Sequence, residues 1–146
     1  MSSGPFHDFE TAAVGDAGPL TRVLDALVYN AEGLIPVITQ ERDSGAVLML
    51  AWMNRAALDE TLATGRVCYY SRSRAALWRK GERSGNEQRL VELRIDCDGD
   101  ALLLCVEQKG PACHSGRHSC FYLRADGERV LITTAPQRQP SDMYGA

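Results

Sequence analysis

The stretch IPVITQERDSGAVLMLAWM, residues 35–53, decides the fold class. Its two apolar runs flank residues 43–45, an Asp-Ser-Gly sequence of typical turn formers, and this pattern predicts a β-hairpin. Directly after it, Asn54 can cap a helix that continues through Thr64, and Gly65 is in position to end that helix. The chain therefore combines paired strands with a short helix in its first half.

The rest of the chain alternates strand-like runs with polar segments. Val91, Leu93 and Ile95 alternate with charged residues, which predicts a half-buried strand, and apolar positions from Leu20 to Val28 recur at helical spacing. Strands are also expected at VCYYS (67–71) and ALLLCVEQ (101–108), a closing hairpin at FYLRADGERVLITT (121–134), and a polar loop at SRSRAALWRKGERSGNEQ (71–88). These elements predict a single α+β domain with a mainly antiparallel or mixed sheet and a few short helices.

We expect this domain to span residues 19–135. Residues 1–18 are rich in small and acidic side chains and are interpreted as a flexible lead-in, and residues 136–146 as a C-terminal tail. No apolar run approaches the roughly 18 residues that span a bilayer. The N-terminus also lacks the basic and apolar regions of a secretory signal. We therefore expect a cytoplasmic protein without a membrane partner.

Composition narrows the functional classes. The 146 residues are 45% hydrophobic and 24% charged, which is typical of a globular domain. The formal net charge of -3 argues against a protein that binds the phosphate backbone of nucleic acids, because such proteins usually carry a basic excess. The five cysteines are an odd number, and in a reducing compartment they indicate thiols or metal ligands rather than disulfides.

The segment DCDGD contains Asp96, Asp98 and Asp100. One interpretation is a hairpin turn, because Asp-Gly between two apolar strands is a strong turn signal. A turn does not need three carboxylates, however, and carboxylates this close repel one another unless cations or donors neutralise them. Oxygen ligands at this density suit Mg²⁺, so a turn and a magnesium site are both open.

The segment PACHSGRHSCFY, residues 111–122, carries Cys113 and Cys120. Buried cysteines are common as small hydrophobes, but this polar segment is a poor place for inert thiols. Thiolates are usual zinc ligands, and Cys97 is the natural third sulfur. Three protein ligands would leave a position for water, as in catalytic zinc sites, and His114 is then the candidate general base. Two other cysteines lie in apolar runs and are interpreted as core residues: Cys68 and Cys105.

The polar segment after residue 70 mixes cations with small residues. A solvated basic loop is the usual interpretation of such a run, but Gly and Ser beside Arg and Lys also suit a phosphate site, where backbone N–H groups and guanidinium groups bind an anion. The P-loop pattern is absent. The candidate substrate or phosphate ligands are Ser71, Arg72, Ser73, Arg74, Trp78, Lys80, Gly81, Ser84 and Gly85.

Taken in order, VLMLAWMN, YYSRSRAALWRKGERSGN, DCDGD and PACHSGRHSCFY resemble the phosphoribosyl-AMP cyclohydrolase family of histidine biosynthesis, over about residues 33–122. The resemblance implies hydrolysis of the N1–C6 bond of the purine in phosphoribosyl-AMP, which gives an opened imidazole carboxamide nucleotide. It also implies a homodimer that needs Mg²⁺ and holds zinc at sites built from both subunits. Because only a short segment follows Tyr122, we expect this activity alone, without the pyrophosphohydrolase domain to which the family is sometimes fused.

Residue by residue, the resemblance implies that Cys97, Cys113 and Cys120 bind zinc, that Asp96, Asp98 and Asp100 bind Mg²⁺, and that His114 acts as base near the attacking water. Side chains alternate on an extended strand, so we expect Cys97 on one face and its two neighbouring carboxylates on the other. One position departs from the family pattern: Arg83 stands where Thr is usual. Phosphate binding by this loop is still expected, but the resemblance implies no role for position 83.

Three other interpretations stay open. Nucleobase deaminases also attack purines with zinc-bound water, but their H-x-E and P-C-x-x-C signatures are absent from this sequence. A zinc-stabilised nucleic-acid-binding module is disfavoured by the net charge of -3 and by the lack of a fourth ligand. A homologue that has lost its activity would share the same motifs.

Overall fold

The computed structural model describes residues 4–144 and confirms the first hairpin. Strand β1 (Ile35–Glu41) pairs in antiparallel fashion with β2 (Val47–Met53), so that Ile35 lies opposite Met53. Gly45 has a positive φ of 74° in the turn between them, a conformation that glycine adopts without strain.

The helix predicted after the hairpin is also present. Helix α3 spans Arg55–Thr64, and the Asn54 side chain accepts a hydrogen bond of 2.8 Å from the Ala57 N–H. Gly65 ends the helix in the left-handed conformation. Both ends thus depend on the residue types that favour them, an Asn cap and a C-terminal Gly.

A four-stranded mixed sheet forms the centre of the single α+β domain. The strands after β2 are β3 (Cys68–Ser71), β4 (Ala76–Arg79), β5 (Gln88–Ile95), β6 (Leu102–Gln108), β7 (Leu123–Asp126) and β8 (Arg129–Ile132). The order in the sheet is β2–β1–β6–β5, in which β1 and β6 are parallel and the other two pairs are antiparallel. Two separate hairpins, β3–β4 and β7–β8, complete the described fold.

The core lies between this sheet, α3 and the β3–β4 hairpin. Alternate side chains over residues 35–39 of β1 and 102–106 of β6 are fully or almost fully buried, which is why these runs are so apolar. Cys68 belongs to this core, as predicted, whereas Cys105 on β6 is half-buried. The largest buried apolar side chains include Ile35, Leu48, Met53, Leu58, Tyr69, Leu102 and Leu104.

One expectation about strands was wrong, and a second holds except at one residue. The segment predicted as a polar loop contains β4, which pairs with β3 so that Trp78 lies opposite Tyr69. The predicted half-buried strand is present as β5, with Leu93 and Ile95 partly buried. In β5 the register shifts between Leu90 and Glu92, and Val91 is 39% exposed at this irregularity. The simple alternation fails there because an extra residue in one strand reverses which side chains point inward.

Short helices lie at both ends of the described chain. Helix α1 spans Pro5–Phe9, α2 spans Leu20–Asp25 and α4 spans Pro140–Tyr144. Patterning predicted only the second of these, and Val28, expected to lie on its apolar face, is exposed beyond its end. Phe6 and Met143 are buried. None of the helices in residues 4–144 is long and apolar enough to cross a membrane.

Candidate functional site

The acidic segment forms the tight turn that joins β5 to β6. The Asp98 N–H donates to the Asp96 carboxylate at 3.0 Å, and the Gly99 N–H donates to the Asp96 carbonyl at 2.9 Å. Gly99 has a φ of 72°, which favours glycine at this position. The segment is therefore a hairpin turn that at the same time concentrates carboxylates.

This turn brings Asp96, Cys97 and Asp98 together on one side. One ligand atom from each lies within 4.8 Å of the others, and all three residues are exposed. The expectation that Cys97 faces away from its neighbours is wrong, because the segment is a turn and not an extended strand. The group offers one sulfur and two carboxylates to a cation.

Hydrogen bonds and charges within the turn shift the pKa values of its titrating groups in opposite directions. The hydrogen bond from the Asp98 N–H lowers the pKa of Asp96, whereas the hydrogen bond to Asp96 raises the pKa of Asp100. The negative charges of Asp96 and Asp98 raise the pKa of the Cys97 thiol. A bound cation would relieve this repulsion.

The N-terminal segment packs against the same turn. The Phe6 ring lies where a Cβ at Gly99 would stand, so a side chain there would overlap the ring. The Val28 N–H also donates to the Gly99 carbonyl at 2.8 Å. An apolar pocket of about 330 Å³ lies beside this contact and reaches from Phe9 to Cys97. Helix α1, which no motif predicted, thus forms part of the surroundings of Cys97.

Cys113 and Cys120 form a second cluster, in the long segment after β6. The Ser115 hydroxyl donates to the Cys113 Sγ at 3.0 Å, and the Cys120 N–H donates to the Leu48 carbonyl at 2.7 Å. Crowding of its thiol by protein atoms, together with the neighbouring Cys113 thiol, raises the pKa of Cys120 to about 12. Without a cation the Cys120 thiol therefore keeps its proton at neutral pH.

Lys80 lies beside this sulfur pair and is 5% exposed. Its Nζ donates to the Ala112 carbonyl at 2.6 Å. Burial lowers the pKa of Lys80, while Cys120 and Cys113 act in the opposite direction. The positive charge of Lys80 therefore lies next to the two thiols, and the Lys80 side chain also lines the adjacent pocket.

The three predicted zinc ligands are not gathered within one chain. Cys97 lies in the β5–β6 turn, whereas Cys120 hydrogen-bonds to the edge strand β2 on the other side of the sheet. Strands β2 and β6 are two spacings apart, about 10 Å, and sulfurs on one zinc ion lie within about 4 Å of one another. Among residues 4–144, the one group of three His, Cys, Asp or Glu ligands close enough for a metal is the acidic turn with Cys97.

A pocket of about 200 Å³ lies between the β3–β4 region and His114. Most of the predicted substrate ligands meet there with the predicted base. Three further lining residues, Glu82, Arg83 and Tyr144, were not among the predicted ligands, and Tyr144 belongs to a tail without any motif. The complete lining is Arg74, Trp78, Lys80, Gly81, Glu82, Arg83, Ser84, His114 and Tyr144.

The other predicted phosphate ligands lie outside this pocket. The Ser71 hydroxyl accepts a hydrogen bond of 3.3 Å from the Arg74 N–H and lies 3.4 Å from the Ser73 hydroxyl. The Arg72 guanidinium lies over the Trp52 ring at 4.9 Å. The Gly85 N–H donates to the Gly81 carbonyl at 2.8 Å and closes the loop. These residues shape the neighbourhood of the pocket but do not line it.

The two histidines of the segment differ in their surroundings. His118 is half-buried, and its Nε2 lies 3.0 Å from the Glu41 carboxylate at the end of β1. His114 is exposed and lines the pocket. His118 is thus a tether between the segment and the sheet, whereas His114 is free to contact a ligand.

Comparison with known proteins identifies the family. The family model described as phosphoribosyl-AMP cyclohydrolase matches residues 49–122. A relative of that name from Alkalilimnicola ehrlichii is 63% identical over 95% of this chain and 98% of its own length. Relatives of the same name from Halorhodospira halophila and Chromohalobacter salexigens are 62% and 57% identical, over 93% and 96% of this chain and 96% of their own lengths in both cases. The chain therefore belongs to the phosphoribosyl-AMP cyclohydrolase family.

Proposed function

We propose that this chain hydrolyses the N1–C6 bond of 1-(5-phosphoribosyl)-AMP to the phosphoribosyl-formimino-imidazole carboxamide nucleotide, in cytoplasmic histidine biosynthesis. The observation that carries the proposal is the pocket in which His114 meets three cations, beside the Cys113–Cys120 pair. The shared name of the relatives supports this reaction over a deaminase or a nucleic-acid-binding module.

The charge of the pocket suits the substrate. Arg74, Lys80 and Arg83 outnumber the single lining carboxylate, Glu82, and a phosphorylated nucleotide is an anion that such cations bind well. The ring of Trp78 offers an apolar face in the same pocket, against which a purine or ribose can pack. Phosphate recognition and base recognition are therefore both available at this site.

The donor set of the sulfur pair fits zinc. The Cys113 and Cys120 thiols are neighbours, Ser115 donates to the first sulfur, and thiolates with such supporting donors are typical zinc ligands. Because Cys97 is remote in the same chain, we propose that the third ligand is Cys97 of the partner subunit. When bound, zinc would supply an activated water for attack on C6. Mg²⁺ would be held by Asp96, Asp98 and Asp100.

His114 has the position of the proton carrier. It is exposed in the pocket and no hydrogen bond ties its ring to another described residue, so it is available to the substrate. We propose that it accepts a proton from the attacking water and returns one to N1 as the C–N bond breaks. The positive charge of Lys80 near the sulfurs would offset part of the thiolate charge.

A homodimer is part of this proposal. The hairpin β7–β8 directly follows Cys120, and the side chains of Leu123, Ala125, Val130 and Ile132 form one apolar face on it. Three of them are between 57% and 63% exposed, and contiguous exposed apolar surface of this kind is typical of a protein interface. A second copy that covers this face could also deliver its Cys97.

The test is hydrolysis of phosphoribosyl-AMP, followed by absorbance, with Zn²⁺ and Mg²⁺ supplied or chelated. We expect metal-dependent turnover, and His114→Ala should lower kcat by about 100-fold or more while zinc content stays unchanged. The matched control is His7→Ala, an exposed histidine on α1, which should keep full activity. Inactive wild-type protein that is folded and loaded with zinc would refute the function, and an active His114→Ala variant would refute the role of that residue.

A further inference from the structure

We propose that the C-terminal segment, residues 136–144, is part of the substrate site, and that Arg83, held by the ring of Tyr144, binds one phosphate group of the nucleotide. The inference rests on the proposed function and assigns a ligand within the same pocket. It concerns a part of the chain that lies beyond the match to the family model, which ends at residue 122.

The segment is anchored to the loop that contains the candidate phosphate ligands. The Arg138 guanidinium donates to the Asn86 side-chain oxygen at 2.7 Å and to the Ser84 carbonyl at 3.3 Å. The Asn86 amide nitrogen in turn lies 3.0 Å from the sulfur of Met143, which is buried. Loop and C-terminal segment therefore hold each other in place.

The same segment is joined to the turn that carries His114. The Gln137 N–H donates to the Gly116 carbonyl at 2.7 Å. Gly116 has a φ of 86°, and a Cβ there would overlap the Arg138 carbonyl, so the two backbones meet as closely as glycine permits. The segment thus connects the turn of the predicted base with the loop of the predicted phosphate ligands.

Tyr144, at the end of α4, contributes a wall of the pocket. The Arg83 guanidinium lies over its ring, 5.8 Å from the centroid. A cation–π contact orients a guanidinium without using any of its five N–H donors. No acceptor is bonded to these donors within residues 4–144, so they are available to an anion that enters the pocket.

This arrangement makes Arg83 a stronger phosphate ligand than a residue with a hydroxyl group would be. A hydroxyl can donate one hydrogen bond to a phosphate, whereas a guanidinium can bind it with two parallel bonds and a full charge. An exposed arginine normally loses much of this advantage to its mobility. The Tyr144 ring reduces that mobility, and the anchored C-terminal segment keeps the ring in place.

The experiment compares Arg83→Ala, Tyr144→Ala and Tyr144→Phe in steady-state kinetics with phosphoribosyl-AMP. Loss of a charged phosphate ligand should raise KM by about tenfold for Arg83→Ala, with kcat within about twofold of wild type. Tyr144→Ala should also raise KM. The double variant of Arg83→Ala and Tyr144→Ala should have a KM no higher than that of Arg83→Ala alone. Tyr144→Phe keeps the ring and should raise KM less than Tyr144→Ala does. The matched control is Arg124→Ala, an exposed arginine on β7 outside the pocket, which should behave like wild type.

Calorimetric titration with AMP separates this inference from the proposed function. Arg83→Ala should bind AMP about tenfold more weakly than wild type, and more of the wild-type affinity should be lost at high salt. Unchanged KM and unchanged AMP affinity in both alanine variants would overturn the inference while an active wild type leaves the function standing. If the wild-type protein shows no turnover, only the proposed function is refuted. The AMP affinities of wild type and Arg83→Ala still test the role of Arg83.

Discussion

The hydroxyl group of Tyr69 is fully buried and joins three strands. It lies 2.6 Å from the Thr39 hydroxyl on β1 and donates to the Gln88 side-chain oxygen on β5 at 2.6 Å. Since a phenol has one proton, Thr39 is the donor in the first bond. Gln88 continues the chain of hydrogen bonds to Gln108 at 2.8 Å. A buried polar network of this kind is stabilising only while every member keeps its partner.

Tyr69→Phe should therefore lower the free energy of unfolding by about 1–3 kcal/mol, because Thr39 and Gln88 each lose a buried partner. Urea unfolding at a fixed protein concentration measures the change. Tyr70→Phe is the control, since no hydrogen bond is made by the Tyr70 hydroxyl within the described chain, and it should change stability by less than about 0.5 kcal/mol. Equal effects of the two substitutions would mean that the network contributes nothing.

Among whole elements, the β7–β8 hairpin has an apolar face that is exposed in the described chain, residues 4–144. Leu123 and Ile132 are cross-strand partners, 59% and 57% exposed. Replacing both with Thr keeps strand propensity but removes apolar area, so the Kd of a dimer built on this face should rise by at least about tenfold. Light scattering over a range of concentrations measures it. The control is Arg124→Thr, on the opposite face of the same strand, which should leave the Kd unchanged. If the double Thr variant has the Kd of the wild type, the dimer forms through another surface.

How far elements follow from sequence depends on how local their signals are. The hairpin of residues 35–53 and the helix after Asn54 were predicted correctly, because turn and capping residues adjoin their apolar runs. Strand β4 was missed because its polar surroundings hide a pairing with β3 that only the folded chain brings about. Tyr144 could not be assigned to the pocket from sequence, since its position depends on contacts of Arg138 and Met143 with a remote loop.

At the scale of the whole molecule, the separation of Cys97 from Cys113 makes the two-chain site testable. Cys97→Ser and Cys113→Ser should each abolish turnover when present in both subunits. In a mixed dimer, one of the two sites combines an intact Cys97 with an intact Cys113. Random mixing makes half of the dimers mixed, so activity should recover to about a quarter of the wild-type value. Activity of co-expressed or refolded mixtures measures this.

The pairing of variants also supplies the control for this experiment. Cys113 and His114 come from the same subunit in the proposed site, so a mixture of Cys113→Ser with His114→Ala contains no intact site and should stay inactive. Recovered activity in that mixture would contradict a site built from two chains. So would a lack of recovered activity when Cys97→Ser is mixed with Cys113→Ser. Sequence motifs predicted three sulfur ligands, but only the order β2–β1–β6–β5 shows that within one chain Cys97 lies apart from the other two.

The parallel contact between β1 and β6 has a consequence for how the chain folds. The hairpins β1–β2 and β5–β6 each close a short loop, whereas joining β1 to β6 closes a loop that contains β2, α3 and three further strands. Loop-closure entropy grows with length, and folding slows as contacts become more distant in sequence. We therefore expect the acidic turn to form early within its hairpin, and the completed sheet, with the edge that carries Cys120, to form in a later and slower phase.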